Sequence, residues 1–137
     1  MGMVYAEITL KNVMDEGKAQ AGFIKVEDIR TATVTAVVDT GSMNLVITEE
    51  LRQKLGLNIK GEKPARVANG QRVTCQVTDA VEVHWKNRDM VLPAVVIPGA
   101  EVVLLGAIAL EGMDLIVNPT TRELVGAHGD EIEYMVY

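Results

Sequence analysis

Asp39, Thr40 and Gly41 close the β-branched run Thr33-Val34-Thr35-Ala36-Val37-Val38 and lead into Ser42 and the apolar stretch Leu45-Val46-Ile47. A carboxylate lifted from the end of a buried strand onto a glycine turn stands where a general acid or base meets its substrate. Three residues alone say little, since an Asp at a strand end also bonds to its own turn as a side-chain cap. A downstream segment supplies context: Val102-Val103-Leu104-Leu105-Gly106, then Ala107-Ile108-Ala109-Leu110, then Met113-Asp114-Leu115-Ile116-Val117. An apolar strand ending in Gly, a short helical turn and a final apolar strand are expected to form a hydrophobic platform beneath the Asp39 loop.

The other reactive residue types are sparse. Cys75, the only cysteine, excludes an internal disulfide and suits a reducing compartment. It lies in the alternating run Arg72-Val73-Thr74-Cys75-Gln76-Val77 with no helix N-terminus to activate it, and reads as a half-buried structural thiol rather than a nucleophile paired with His84 or His128. The two histidines match no zinc-ligand spacing and read as surface residues; no metal or cofactor is expected. Glu111 and Asp114 flank a helix-to-strand junction and read as solvated.

The chain of 137 residues has 48% hydrophobic and 23% charged residues and a net charge of −6, which implies one soluble globular domain spanning residues 1–137. Its scattered basic residues lack the footprint that a phosphate backbone requires, so nucleic acid is not an expected partner. No apolar run is long enough to cross a bilayer, and the first residues show neither a signal peptide nor, with Ala6, the myristoylation pattern. The expectation is a cytoplasmic protein without a membrane partner.

Short β-type runs separated by Gly, Pro, Asn and Asp predict a mostly-β domain, with strands at 4–11, 29–38, 65–67, 72–85, 89–97, 102–105 and 115–118. One or two short helices interrupt them. Thr48 caps 49–55, which has acids first, bases last and Gly56 as the stop, and 107–112 makes a turn or two. Asn69-Gly70 predicts a hairpin with a type I′ turn, its tip at Ala68-Asn69-Gly70-Gln71. Residues 13–22 read as a mobile polar connector. The alternation of Tyr134-Met135-Val136-Tyr137 suggests a terminal strand.

Val37-Val38-Asp39-Thr40-Gly41-Ser42, the hairpin Val67-Ala68-Asn69-Gly70-Gln71 and Leu104-Leu105-Gly106 come in the order and spacing that resemble the retropepsin-like aspartic proteases, the single-domain retroviral type with small bacterial versions. The resemblance covers approximately residues 3–125 and implies a closed acid-protease barrel, a homodimer and peptide hydrolysis. It further implies catalytic roles for Asp39, Thr40 and Gly41, with Thr40 bonding across the dimer axis. Ser42 and the hairpin tip at Ala68, Asn69 and Gly70 would bind substrate, the tip closing as a flap. Interleaved termini would pair the last residues with 4–10 at the subunit interface. Many viral members brace the dimer with an acid near the Asp-Thr-Gly motif and an Arg after the downstream Gly; Met43 and Ala107 stand at those places here.

Two carboxylates about 3 Å apart that share a proton make up such a dyad, because like charges that close cannot both ionise. A chain with one Asp-Thr-Gly supplies the pair only by docking on a copy of itself. A peptide would bind extended, with Leu45, Val67, Ile97, Val103 and Ile108 as candidate pocket-formers that read more readily as plain core, and with cleavage between apolar residues. Two alternatives stand beside this reading: a non-catalytic dimeric peptide-binding or assembly module on the same fold, and a phosphate-handling turn. The latter needs Mg²⁺ and a second carboxylate motif that the sequence does not show.

Overall fold

The computed structural model describes residues 3–130. Nine strands are present among them: β1 (Val4–Asn12), β2 (Thr31–Val38), β3 (Leu45–Ile47), β4 (Ile59–Arg66), β5 (Arg72–Trp85), β6 (Arg88–Val96), β7 (Val103–Leu105), β8 (Leu115–Asn118) and β9 (Glu123–Gly126). Three α-helices, α1 (Val13–Gln20), α2 (Glu49–Leu55) and α3 (Ala107–Gly112), and a 3₁₀ turn at Val26–Asp28 are the other elements of the described residues.

Six strands close a barrel in the order β1-β2-β7-β3-β6-β5, because β5 returns to pair with β1. That closure is local: Thr9 to Asn12 of β1 face His84 to Val81 of β5, while the same strand pairs with β2 from Val4 to Lys11 on its other side. Strand alternation sends Ala6, Ile8 and Leu10 of β1 inward. They meet Leu45, Ile47, Val81, Val83 and Leu105, none more than 6% exposed. Each fully buried aliphatic side chain stabilises the fold by about 1.5–3 kcal/mol.

The helix at 49–55 forms as its capping residues dictate. Thr48 Oγ1 accepts from Leu51 N at 3.1 Å, and Gly56 takes the left-handed conformation at φ 65° that ends the helix. Leu51 and Leu55 point into the core.

Residues 13–22 are not a loose connector. They form α1, which lacks an apolar stripe and is held by polar contacts instead. Asn12 Oδ1 accepts from Asp15 N at 3.0 Å, and its amide donates to Leu55 O at 2.8 Å. Asp15, only 3% exposed, accepts from Arg30 Nε at 2.8 Å and Nη2 at 2.9 Å, and this guanidinium holds its carboxyl below the usual range. Among the described residues there are therefore three α-helices rather than one or two.

Two strands exceed the sequence pattern. β4 begins at Ile59 rather than near Ala65; among the described residues it pairs only with β5, and its exposed Lys60, Gly61, Glu62, Lys63 and Pro64 carry no inward period. Lysines and a proline on such an edge discourage pairing with another chain. β9 was not expected and pairs with β8 as a separate hairpin. The expected strand at 134–137, and its pairing with β1, lie outside the described residues. Among the described residues no helix is long and apolar enough to cross a membrane.

Candidate active site

Asp39 leaves the barrel at the end of β2, where Asp39 N donates to Leu105 O at 3.0 Å and so continues the parallel β2–β7 pairing by one step. Its carboxylate is fixed by its own turn. Gly41 N donates to Asp39 Oδ1 at 3.0 Å and Ser42 N to Asp39 O at 3.1 Å. The capping bond that an ordinary strand-ending Asp would make is thus present, and it engages Oδ1 rather than the second carboxylate oxygen, Oδ2. Asp39 is half-buried, Thr40 and Gly41 are exposed, and Ser42 is half-buried.

The platform beneath the loop is built by backbone. The first amides of a helix have no partners within it, and Gly106, at the N-cap of α3, has no side chain to serve them. The loop carbonyls do so: Ala107 N donates to Ser42 O at 2.7 Å and Ile108 N to Met43 O at 3.1 Å. This contact explains the Leu-Leu-Gly pattern. A Cβ on Gly106 would lie 2.5 Å from Asn44 O and 2.6 Å from Ser42 O, whereas one on Gly41 would meet Asp39 Oδ1 at 3.4 Å, an ordinary contact. Close approach within the chain is demanded at Gly106 and not at Gly41.

The β4–β5 hairpin carries the other site candidates. Its loop differs from the expected type I′ turn: Gly70 N donates to Val67 O at 2.9 Å, which puts Ala68 and Asn69 at the turn's centre, and Gly70 alone is left-handed at φ 85°. Asn69 Oδ1 accepts from Gln71 N at 2.9 Å, and Arg66 Nη1 donates to Gly70 O at 2.8 Å. A turn followed by a left-handed glycine suits a longer hairpin loop. Ala68, Asn69 and Gly70 are exposed and form no hydrogen bond to the Asp39 turn among the described residues. The structure therefore gathers Asp39, Thr40, Gly41 and Ser42 into one braced turn, with the hairpin tip as a separate element.

Residues 24–119, well over half of the chain, match the sequence profile of a family described as aspartyl protease. The chain belongs to this family, which is of the retropepsin-like clan. Comparison with curated proteins gives no match.

The matched span of the aspartyl protease family includes the Asp39 turn, the hairpin and Gly106. At the two places where many viral members carry an ion pair, Met43 is 60% exposed, and Ala107 is followed by Ile108, itself 39% exposed. The candidate pocket-formers divide. Leu45 and Val103 are core, Val67 and Ile97 are half-buried, and Ile108 is exposed. Cys75 is buried with Sγ donating to Lys63 O at 3.2 Å, as a structural thiol should be.

Two polar residues, Asp114 and His84, were misplaced by local pattern. Asp114 is buried rather than solvated and takes His128 Nδ1 at 2.8 Å. Beside it, Arg88 is 2% exposed and donates to the carbonyls of Met113, Asp114 and Gly129. His84 is largely buried, with Nε2 against Glu82 Oε1. Glu82, His84 and Asp89 each bring a ligand atom within 4.8 Å of the others. No linear spacing announces this, because His84 and Asp89 meet only as cross-strand partners in the β5–β6 pairing.

Glu16 of α1 joins that cluster. Burial, then the hydrogen bond and charge of Glu82, raise its carboxyl from 4.5 to about 7, opposed by Lys11; Glu82 is pushed the other way, since one proton serves both. Between pH 4.5 and about 7 the folded chain keeps a proton that the unfolded chain has lost, so stability declines as pH rises through that window. Glu16→Gln keeps a donor toward Glu82 without the charge. Discounted for solvent screening, it should stabilise the fold by about 1 kcal/mol near pH 8 and by nothing near pH 4. Urea unfolding of both proteins at the two pH values checks this.

Proposed function

We propose that the chain is an aspartic endopeptidase whose active centre forms when two copies dock about a two-fold axis, Asp39 facing the partner's Asp39. The observation that carries this reading is the braced turn: a single Asp-Thr-Gly whose carboxylate is held by Gly41 N and whose loop carbonyls cap α3. One such turn supplies half of a dyad.

In the dimer one carboxylate is ionised and the other protonated. The ionised one takes a proton from a bound water as its oxygen attacks the peptide carbonyl, while the protonated one gives its hydrogen to the carbonyl oxygen. A proton then passes to the amide nitrogen and the C–N bond breaks, releasing an acid and an amine. No metal or cofactor is needed for these steps. Thr40 bonds across the axis and holds the turns in register, Ser42 donates to the outer carboxylate oxygen, and Ala68, Asn69 and Gly70 close over an extended peptide and exclude water.

Met43 and Ile108, exposed beside the turn, brace the dimer by apolar contact in place of an ion pair. Dilution separates the halves. Activity per chain should therefore fall as sizing shows monomers replacing dimers, and it should follow a bell in pH whose two limbs belong to the pair. Constant activity per chain in a fully monomeric sample contradicts a shared centre.

A further inference from the structure

A cavity of about 900 Å³ lies between the N-terminus of α2, the β4–β5 hairpin and the loop joining β6 to β7. Strand register ties it to the Asp39 turn. Val96, in its wall, pairs with Gln76 of β5 and is level with Ile47 of β3, and β3 pairs in turn with β7, whose Leu105 carbonyl holds Asp39 N. The hairpin that walls the groove also carries the tip at Asn69-Gly70.

The lining has one sign of charge. Glu49, Glu50, Glu62 and Glu101 contribute carboxylates, and among the described residues no Lys, Arg or His lines the groove. Alternation on β4 produces part of this: Glu62, opposite Gln76, is in the lining, while Lys63, opposite Cys75, is not. Arg52 already holds Glu49, lowering its carboxyl to about 2. Glu50, Glu62 and Glu101 are exposed and form no ion pair among the described residues. Val96, Ile97 and Pro98 give the groove an apolar stretch beside the acids.

A cleft of one sign focuses its field and concentrates the opposite charge. Lysine and arginine fit both surfaces, since their stems pack on apolar area while the charged head reaches a carboxylate. We infer that the groove receives a lysine or arginine side chain of the extended peptide, selecting substrates with a basic residue; the inference takes its peptide from the proposed peptidase reading. Successive side chains of an extended peptide point to opposite sides, so one residue can enter the groove while apolar neighbours flank the bond to be cut.

The test uses the full chain carrying Asp39→Asn, which binds without turnover. Fluorescent decapeptides carry one lysine, moved along the sequence, or the uncharged isostere norleucine at the same position. At one position lysine should lower Kd about ten-fold relative to norleucine, as a charge-assisted bond allows. Adding E50Q, E62Q and E101Q together should remove that preference, as should raising salt from about 20 to about 300 mM. A Glu101→Lys variant should shift the preference toward a glutamate-bearing peptide. Equal affinity for lysine and norleucine at every position, or a preference that survives the triple variant, overturns the inference. Wild-type protein on the same peptides separates the two readings. Lysine-selective binding without any cleavage refutes the peptidase and leaves the groove; cleavage indifferent to lysine refutes the groove and leaves the peptidase.

Discussion

Asp39→Asn should lower peptide hydrolysis by at least about 10³-fold, the scale of losing positioned acid–base groups, while the protein keeps its fold and its dimer. The substitution changes little else. Asn retains a side-chain oxygen to accept from Gly41 N, and Asp39 is only half-buried, so stability should change by less than about 0.5 kcal/mol. Thermal unfolding, sizing and turnover on one peptide check the three claims together. A binding module on the same fold would lose nothing by this change, so undiminished function in the variant would favour that alternative over the peptidase.

Gly106→Ala is the second large effect, and it acts on Asp39 through backbone alone. The new methyl would press on Asn44 O at 2.5 Å, Ser42 O at 2.6 Å and the Met43 carbonyl carbon at 2.8 Å. No side chain can swing aside, so the loop must lift from α3 and strain the bonds from Ala107 N and Ile108 N. Overpacking of this kind costs about 1–3 kcal/mol. Activity should fall about 10²-fold or more, since a shift of about 1 Å in a catalytic group has that effect. Gly112→Ala is the control: the atoms nearest its methyl belong to the flexible Met90 side chain, and it should leave turnover within about two-fold. Equal losses in the two variants would show that the Ser42–Gly106 contact does not position the site.

The sequence disclosed what rests on local chemistry. The Asp-Thr-Gly turn, the cap at Thr48, the strand from Arg72 to Trp85 and the stop at Gly56 each follow from residues within a few positions of one another. The pairing of the Asp39 loop with the Leu104-Leu105-Gly106 element was legible too, through the order of the two motifs, but its physical cause was not. Gly106 was a motif letter until the carbonyls of Ser42 and Asn44 were found against its Cα.

Features made by distant partners stayed hidden. α1 looks like a linker because its stability comes from Asn12, Leu55 and Arg30 rather than from an apolar face. β4 has no inward period because both of its faces are exposed. Asp114, His128 and Arg88 meet across β6, the junction between α3 and β8 and the turn after β9, and Glu16 meets Glu82 across α1 and β5. The return of β5 onto β1, which closes the barrel, has no local signal at all.

The shared centre is tested most directly by mixing wild-type chains with Asp39→Asn chains and letting dimers exchange. If each active centre takes one Asp39 from each copy, an equal mixture retains about one quarter of the activity of the same amount of wild-type protein, because only that fraction of dimers is wild type on both sides. A mixture that retains about one half would mean that each chain works alone, and would contradict the account.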